Sequence, residues 1–122
     1  MNRPQAVPAL DPLYADLRRR DPVRPAVLLD IRERDEFMTV RVVGSLFIPM
    51  SQLGVRMDEV PKDRPVLVMC ASGSRSQSAT AYLRQNGWED VGSVAGGISG
   101  WEQLGLPVKR GPVEPGEGQL PG

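Results

Sequence analysis

The chain is expected to fold as an α/β domain, a central and mostly parallel β-sheet with helices on both faces, and three observations predict it. Ala26-Val27-Leu28-Leu29 and Val66-Leu67-Val68-Met69 are unbroken apolar runs without alternation, which suits strands buried on both faces. Each is followed by a segment of helical spacing before the next apolar run, the order of a crossover-linked parallel sheet. The length of 122 residues is one domain's worth and shows no solenoid repeat.

Taken in order, Val7-Pro8-Ala9 reads as a brief strand or an extended entry. Asp11-Pro12 supplies an N-cap and a first-turn proline, and Leu13 and Leu17, four apart, give the following short helix an apolar face. Pro22 and Pro25 end it, and the strand to Asp30 follows. Residues 33–40 form a turn of helix anchored by Phe37, and 42–48 read as a strand interrupted at Gly44-Ser45. Leu53 and Met57 mark a short helix within 51–60, and 61–65 is a turn before the second apolar strand. Ala79, Tyr82 and Leu83 share a helical face from Ser76 to Asn86, with Asn86-Gly87 as its stop. Val91 to Val94 is a further strand. Gly96-Gly97 makes a sharp turn through positive φ, and Ile98 to Leu104 a closing helix that plants Trp101 in the core. Trp88 also reads first as core, with an acceptor surface as the weaker alternative. Residues 1–108 are read as the domain and 109–122, rich in Gly and Pro, as a flexible or loosely draped tail.

Composition narrows the chemistry. Lys+Arg and Asp+Glu both number 15, so no net positive field gathers a nucleic acid, and Arg18, Arg19, Arg20 and Arg24 read as a solvated helix end. No apolar stretch reaches bilayer length and no signal-like core opens the chain, so a cytoplasmic protein without a membrane partner is expected. One cysteine allows no internal disulfide, and the absence of histidine excludes cysteine–histidine and serine–histidine pairs and imidazole zinc sites. A nucleophile in this chain must be activated without histidine.

Val68-Met69-Cys70-Ala71-Ser72-Gly73-Ser74-Arg75-Ser76 meets that requirement. It places a thiol at the C-terminal end of a core strand, where open α/β sheets put their active sites. Ala71, Ser72, Gly73 and Ser74 are small enough for successive backbone N–H groups to turn inward as an anion-binding nest beside a helix N-terminus. Arg75 adds a cation suited to an oxoanion or a thiolate. Such surroundings favour the thiolate, so Cys70 reads as a nucleophile rather than a small buried hydrophobe. Ser76 reads chiefly as the helix cap, with its hydroxyl also able to face a bound group.

The loop resembles the active-site loop of the rhodanese superfamily, with Cys70, Gly73, Arg75 and Ser76 on its Cys-x-x-Gly-x-Arg-Ser pattern. Leu28-Leu29-Asp30-Ile31-Arg32 with Glu36-Phe37 is similar to the family's first signature. Arg41-Val42, Gly44-Ser45 and Ile48-Pro49 resemble its second stretch, and Gly87-Trp88, Val91, Gly96-Gly97-Ile98 and Trp101 its closing one. Together they span about residues 7 to 107 in the family's order. Arg41 departs from the histidine commoner there, with an effect expected on the rim or on packing rather than on activity.

The resemblance implies sulfur transfer through a persulfide on Cys70, with Arg75 and the loop holding charge and no metal or organic cofactor. The implied partners are a small anionic sulfur donor, thiosulfate or glutathione persulfide, and an acceptor: a thiol, a sulfur-acceptor protein or cyanide. Asp30 and Arg32 are implied as supporting residues, with Arg32 paired to Glu36. Two rivals stand behind this reading. One is a phosphatase or arsenate reductase of the same superfamily, whose loops are one residue longer between cysteine and arginine and whose leaving oxygen wants an acid that this loop lacks. The other is a non-enzymatic interaction domain on the same fold.

Overall fold

The computed structural model describes residues 9–120. Their order is β1 (Ala9–Leu10), α1 (Pro12–Arg19), β2 (Val27–Asp30), α2 (Arg34–Thr39), β3 (Leu46–Phe47), α3 (Leu53–Arg56) between two 3-10 turns, β4 (Val66–Met69), α4 (Ser74–Gln85), β5 (Val91–Val94) and α5 (Gly97–Gln103). The strands form one sheet in the order β1-β5-β4-β2-β3, and every pairing is parallel. The parallel α/β fold is therefore as the sequence predicts. None of the described helices is long and apolar enough to cross a membrane.

Strand alternation divides the core in two. Val66, Val68 and Cys70 face one layer with Leu53, Ala79, Leu83 and Trp88, whereas Leu67 and Met69 face the other with Ala15, Ile98 and Trp101. The topology then creates the site. From β4 the chain crosses through α4 to β5 on one side, while from β2 it crosses through α2 to β3 on the other. The two connections diverge above adjacent strands, so the topological switch point, where open α/β sheets place their sites, lies at the C-terminal ends of β2 and β4. Cys70 follows one of those strands and Asp30-Ile31-Arg32 ends the other.

Several local expectations change. Asp11 caps α1 through its carboxylate, 2.8 Å from the Leu13 N–H, but Leu13 and Leu17 are 50% and 63% exposed. The buried residues of α1 are Pro12, Ala15 and Asp16, whose small apolar members let the helix lie close on α5. Arg19 and Arg20 of the basic run are tied back to Asp16. Residues 42–45 are a turn through Gly44 at φ +89°, so the third strand shrinks to Leu46–Phe47. The early strand covers Ala9–Leu10, and Val7 and Pro8 lie outside the described residues. Trp88 is buried, its indole N–H donating to the Pro61 carbonyl at 3.1 Å, which removes it as an acceptor surface.

Residues 109–120 are not loose. The guanidinium of Arg41, 0% exposed, donates to the Gly111 and Pro112 carbonyls at 3.0 and 2.9 Å and pairs with Glu117 at 2.6 Å. Lys109 joins Glu117 at 3.0 Å. Residue 118 then bridges Leu46, and the Phe47 N–H donates to its carbonyl at 2.8 Å, so the tail covers the outer edge of β3. Few apolar side chains are needed because a buried cation must be paired, and the tail supplies its partners. Arg41 is thus a packing residue away from the thiol.

Candidate active site

Cys70 is buried at the end of β4, and its sulfur lies 3.0 Å from the Gly73 N–H. Gly73 makes this possible: at φ +109° it turns the chain back over the sulfur and acts as the N-cap of α4. The helix therefore starts at Ser74, two residues before the expected cap. Ser76 sits inside its first turn, buried, with its hydroxyl 3.5 Å from the Cys70 sulfur and 3.0 Å from the Gly73 carbonyl. Desolvation pushes the Cys70 thiol up. The Ser76 hydroxyl and the N–H groups of Ser76, Gly73 and Ser72 outweigh it together and leave the thiol below its ordinary value. Ala71 and Gly73 are half-buried, and Ser72 and Ser74 are exposed on the outer side of the loop.

The back of the loop is held by the turn into α5. Ile98 N–H donates to the Cys70 carbonyl at 2.9 Å and Ser99 N–H to the Ala71 carbonyl at 3.1 Å. With those carbonyls engaged behind, the loop N–H groups are left to point forward. Gly97, at φ +59°, is what allows the approach: a Cβ there would lie 2.4 Å from the Cys70 carbonyl oxygen and 2.6 Å from Ala71. The glycine pair serves φ, as its sequence suggests, and also close packing on the thiol loop, which its sequence does not reveal.

Arg75 is not a free cation. Its guanidinium is forked onto Glu36 of α2 through two 2.8 Å hydrogen bonds, with both side chains partly exposed. Arg75 holds the Glu36 carboxyl down to about 2, and Glu36 in return raises the arginine. The expected Arg32–Glu36 pair is replaced by two others. Arg32 forks onto Asp30, Nε to Oδ1 at 3.0 Å and Nη2 to Oδ2 at 2.8 Å, both residues buried. It also donates to the Glu36 and Val40 carbonyls at 3.2 and 2.6 Å. Asp30 and Arg32 thus fix α2, and α2 presents the Glu36 carboxylate to Arg75. Linear spacing gave no signal for this, since Glu36 and Arg75 lie 39 residues apart.

A second residue escapes sequence reasoning. Ser93 on β5 is buried, and its hydroxyl is 2.7 Å from that of Ser76. Within the strand Val91–Val94 its one signal is polarity, an isolated hydroxyl in a run buried throughout.

Residues 11–104 match the family model described as "Rhodanese-like domain". Among curated proteins, a sulfurtransferase of Allochromatium vinosum is 43% identical over 82 residues, covering 67% of this chain and 77% of its own. The thiosulfate sulfurtransferase GlpE of Actinobacillus succinogenes is 38% identical over 84 residues, covering 69% of this chain and 76% of its own. Among solved structures, a rhodanese-related protein of Thermoplasma volcanium superposes with a TM-score of 0.72 at 30% identity, covering 84% of this chain and 97% of its own.

Proposed function

This chain belongs to the rhodanese-like family, whose link is to sulfur transfer, and on that footing we propose that it is a sulfurtransferase using Cys70 as the sulfur carrier. The observation that carries the reading is the Cys70 sulfur accepting the Gly73 N–H at 3.0 Å, with the Ser76 hydroxyl 3.5 Å away and burial opposed by these groups. The thiolate attacks the outer sulfur of thiosulfate. A bond forms between the two sulfurs, the donor S–S bond breaks, and sulfite leaves with the electron pair. With glutathione persulfide the leaving group is the glutathione thiolate. An acceptor thiolate or cyanide then attacks the outer sulfur and the Cys70 thiolate re-forms.

Cys70 alone makes and breaks bonds. The inward N–H groups of the loop stabilise the charge on the persulfide, and the Ser76 hydroxyl faces the inner sulfur. Arg75, oriented by Glu36, contributes its charge at the rim, and the Asp30–Arg32 pair supports that orientation from below. Incubation with thiosulfate or glutathione persulfide, followed by intact mass measurement, should show one added sulfur, about 32 Da. Cyanide should remove it, and Cys70→Ala should never acquire it. A folded wild-type chain that takes sulfur from neither donor would overturn the reading in favour of an interaction domain.

A further inference from the structure

Ser76 Oγ has three neighbours: the Cys70 sulfur at 3.5 Å, the Gly73 carbonyl oxygen at 3.0 Å and the Ser93 hydroxyl at 2.7 Å. Ser76, Ser93 and Cys70 are all buried, so their hydrogen-bonding groups are satisfied by one another and by the Gly73 backbone. We propose that Ser93 is a positioning residue for the Cys70 sulfur: its hydroxyl donates to Ser76 and so leaves the single Ser76 proton free to face that sulfur when it is negatively charged. This rests on Cys70 being the reacting group.

The two protonation states of Cys70 make different demands on Ser76. When Cys70 is a thiol, its S–H donates to Ser76 Oγ, and Ser76 gives its own proton to the Gly73 carbonyl. When the proton leaves Cys70, Ser76 turns its proton to the thiolate and loses the donor it had. The Ser93 O–H is then the group that still donates to Ser76. Without Ser93, the thiolate state leaves a buried hydroxyl oxygen without a donor, whereas the thiol state does not. Ser93 therefore supports the charged sulfur selectively, although it never touches it. Its place is fixed by pairing on both sides, with Ala9 of β1 and Val68 of β4, so the hydroxyl cannot drift away. The charged groups around the thiol are Arg75 on α4, Glu36 on α2 and the Asp30–Arg32 pair at the end of β2. Residues 91–99 carry no charge, so replacing Ser93 changes hydrogen bonding without altering that set.

The single cysteine allows a direct test, because thiolate ultraviolet absorbance against pH, taken as the difference from Cys70→Ala to remove the two tyrosines, reports Cys70. Ser93→Ala should move the midpoint upward and lower the thiolate fraction below that midpoint by roughly two- to tenfold, the worth of one hydrogen bond. In a Ser76→Ala background the same change should move nothing, because the intermediary is gone. The isosteric pair Ser93→Thr and Ser93→Val repeats the comparison at equal volume and carries the test should alanine not fold. An unmoved midpoint in Ser93→Ala, an equal shift in both backgrounds, or threonine behaving as valine would overturn the proposal. The titration needs no sulfur donor, so failure of sulfur loading would count against the sulfurtransferase reading and leave this result standing.

Discussion

Two glycine-containing segments lie against the sheet, one held by backbone alone and the other by backbone bridges together with ion pairs. The thiol loop, Cys70 to Gly73, is fixed by backbone. Its carbonyls take the N–H groups of Ile98 and Ser99, Gly73 closes over the sulfur, and Gly97 fits where no Cβ can. The strap formed by residues 109–120 adds charge to a few backbone bridges at Lys109 and Gly118: Arg41, Lys109 and Glu117 pair across it, while its Gly111 and Gly116 have open space where a Cβ would stand. Backbone contacts fix geometry to a fraction of an ångström and are indifferent to pH. Ion pairs tolerate a displaced backbone but depend on protonation. A loop that must aim N–H groups at one atom needs the first kind of hold, whereas a segment that covers a strand edge can use the second.

The largest expected effect lies on the loop side. Gly97→Ala combines a left-handed φ with overlap on the Cys70 and Ala71 backbone, and should destabilise the fold by about 2–4 kcal/mol. Sulfur loading at Cys70 should fall even at temperatures where circular dichroism shows the variant folded. Full loading would mean that the loop does not depend on its contact with residue 97. The strap side comes next. Arg41→Met removes the buried cation, and Glu117, which keeps Lys109, is not left alone, so a loss of about 1–3 kcal/mol is expected rather than the larger cost of an orphaned charge. Hydrogen exchange should quicken over 109–120 and at the Phe47 amide, with sulfur loading unchanged. Protection that persists in the variant would show the strap to be held by its backbone bridge instead.

Acid acts on both sides and has the smallest effect. Arg75 holds Glu36, and Arg41 with the Glu114 N–H holds Glu117, each carboxyl lowered from 4.5 to about 2. Lowered folded-state values mean stability that is complete above about pH 4.5 and lost as pH falls toward 2. Melting temperature should decline across that window. Glu117→Gln should start lower at neutral pH and decline less, with the discount proper to partly exposed pairs. An acid limb identical in the variant would remove Glu117 from the account.

Much of this was legible in local sequence. The apolar runs at 26–29 and 66–69, the glycines after the thiol and before the last helix, and the cysteine at a strand end each depend on neighbours within about ten residues. Helix edges and faces were less legible. Ser76 read as a cap because serine caps helices, but the left-handed Gly73 starts α4 earlier and turns the Ser76 hydroxyl inward. Leu13 and Leu17 marked an apolar face, yet the close approach of α1 to α5 selected the smaller Ala15 and Pro12 instead.

By itself, then, the sequence determined that a parallel sheet forms and that its one thiol follows a buried strand on a short Gly/Ser loop. Burial pattern and backbone preference are local properties and are written in order along the chain. Only the tertiary structure decided the partners: Glu36 for Arg75, Ser93 for Ser76, and Glu117, 76 residues away, for Arg41. With 15 cationic and 15 anionic side chains, many pairings satisfy the sequence equally well. The divergence of the crossovers above β2 and β4, and the cost of burying a guanidinium without a carboxylate, select among them.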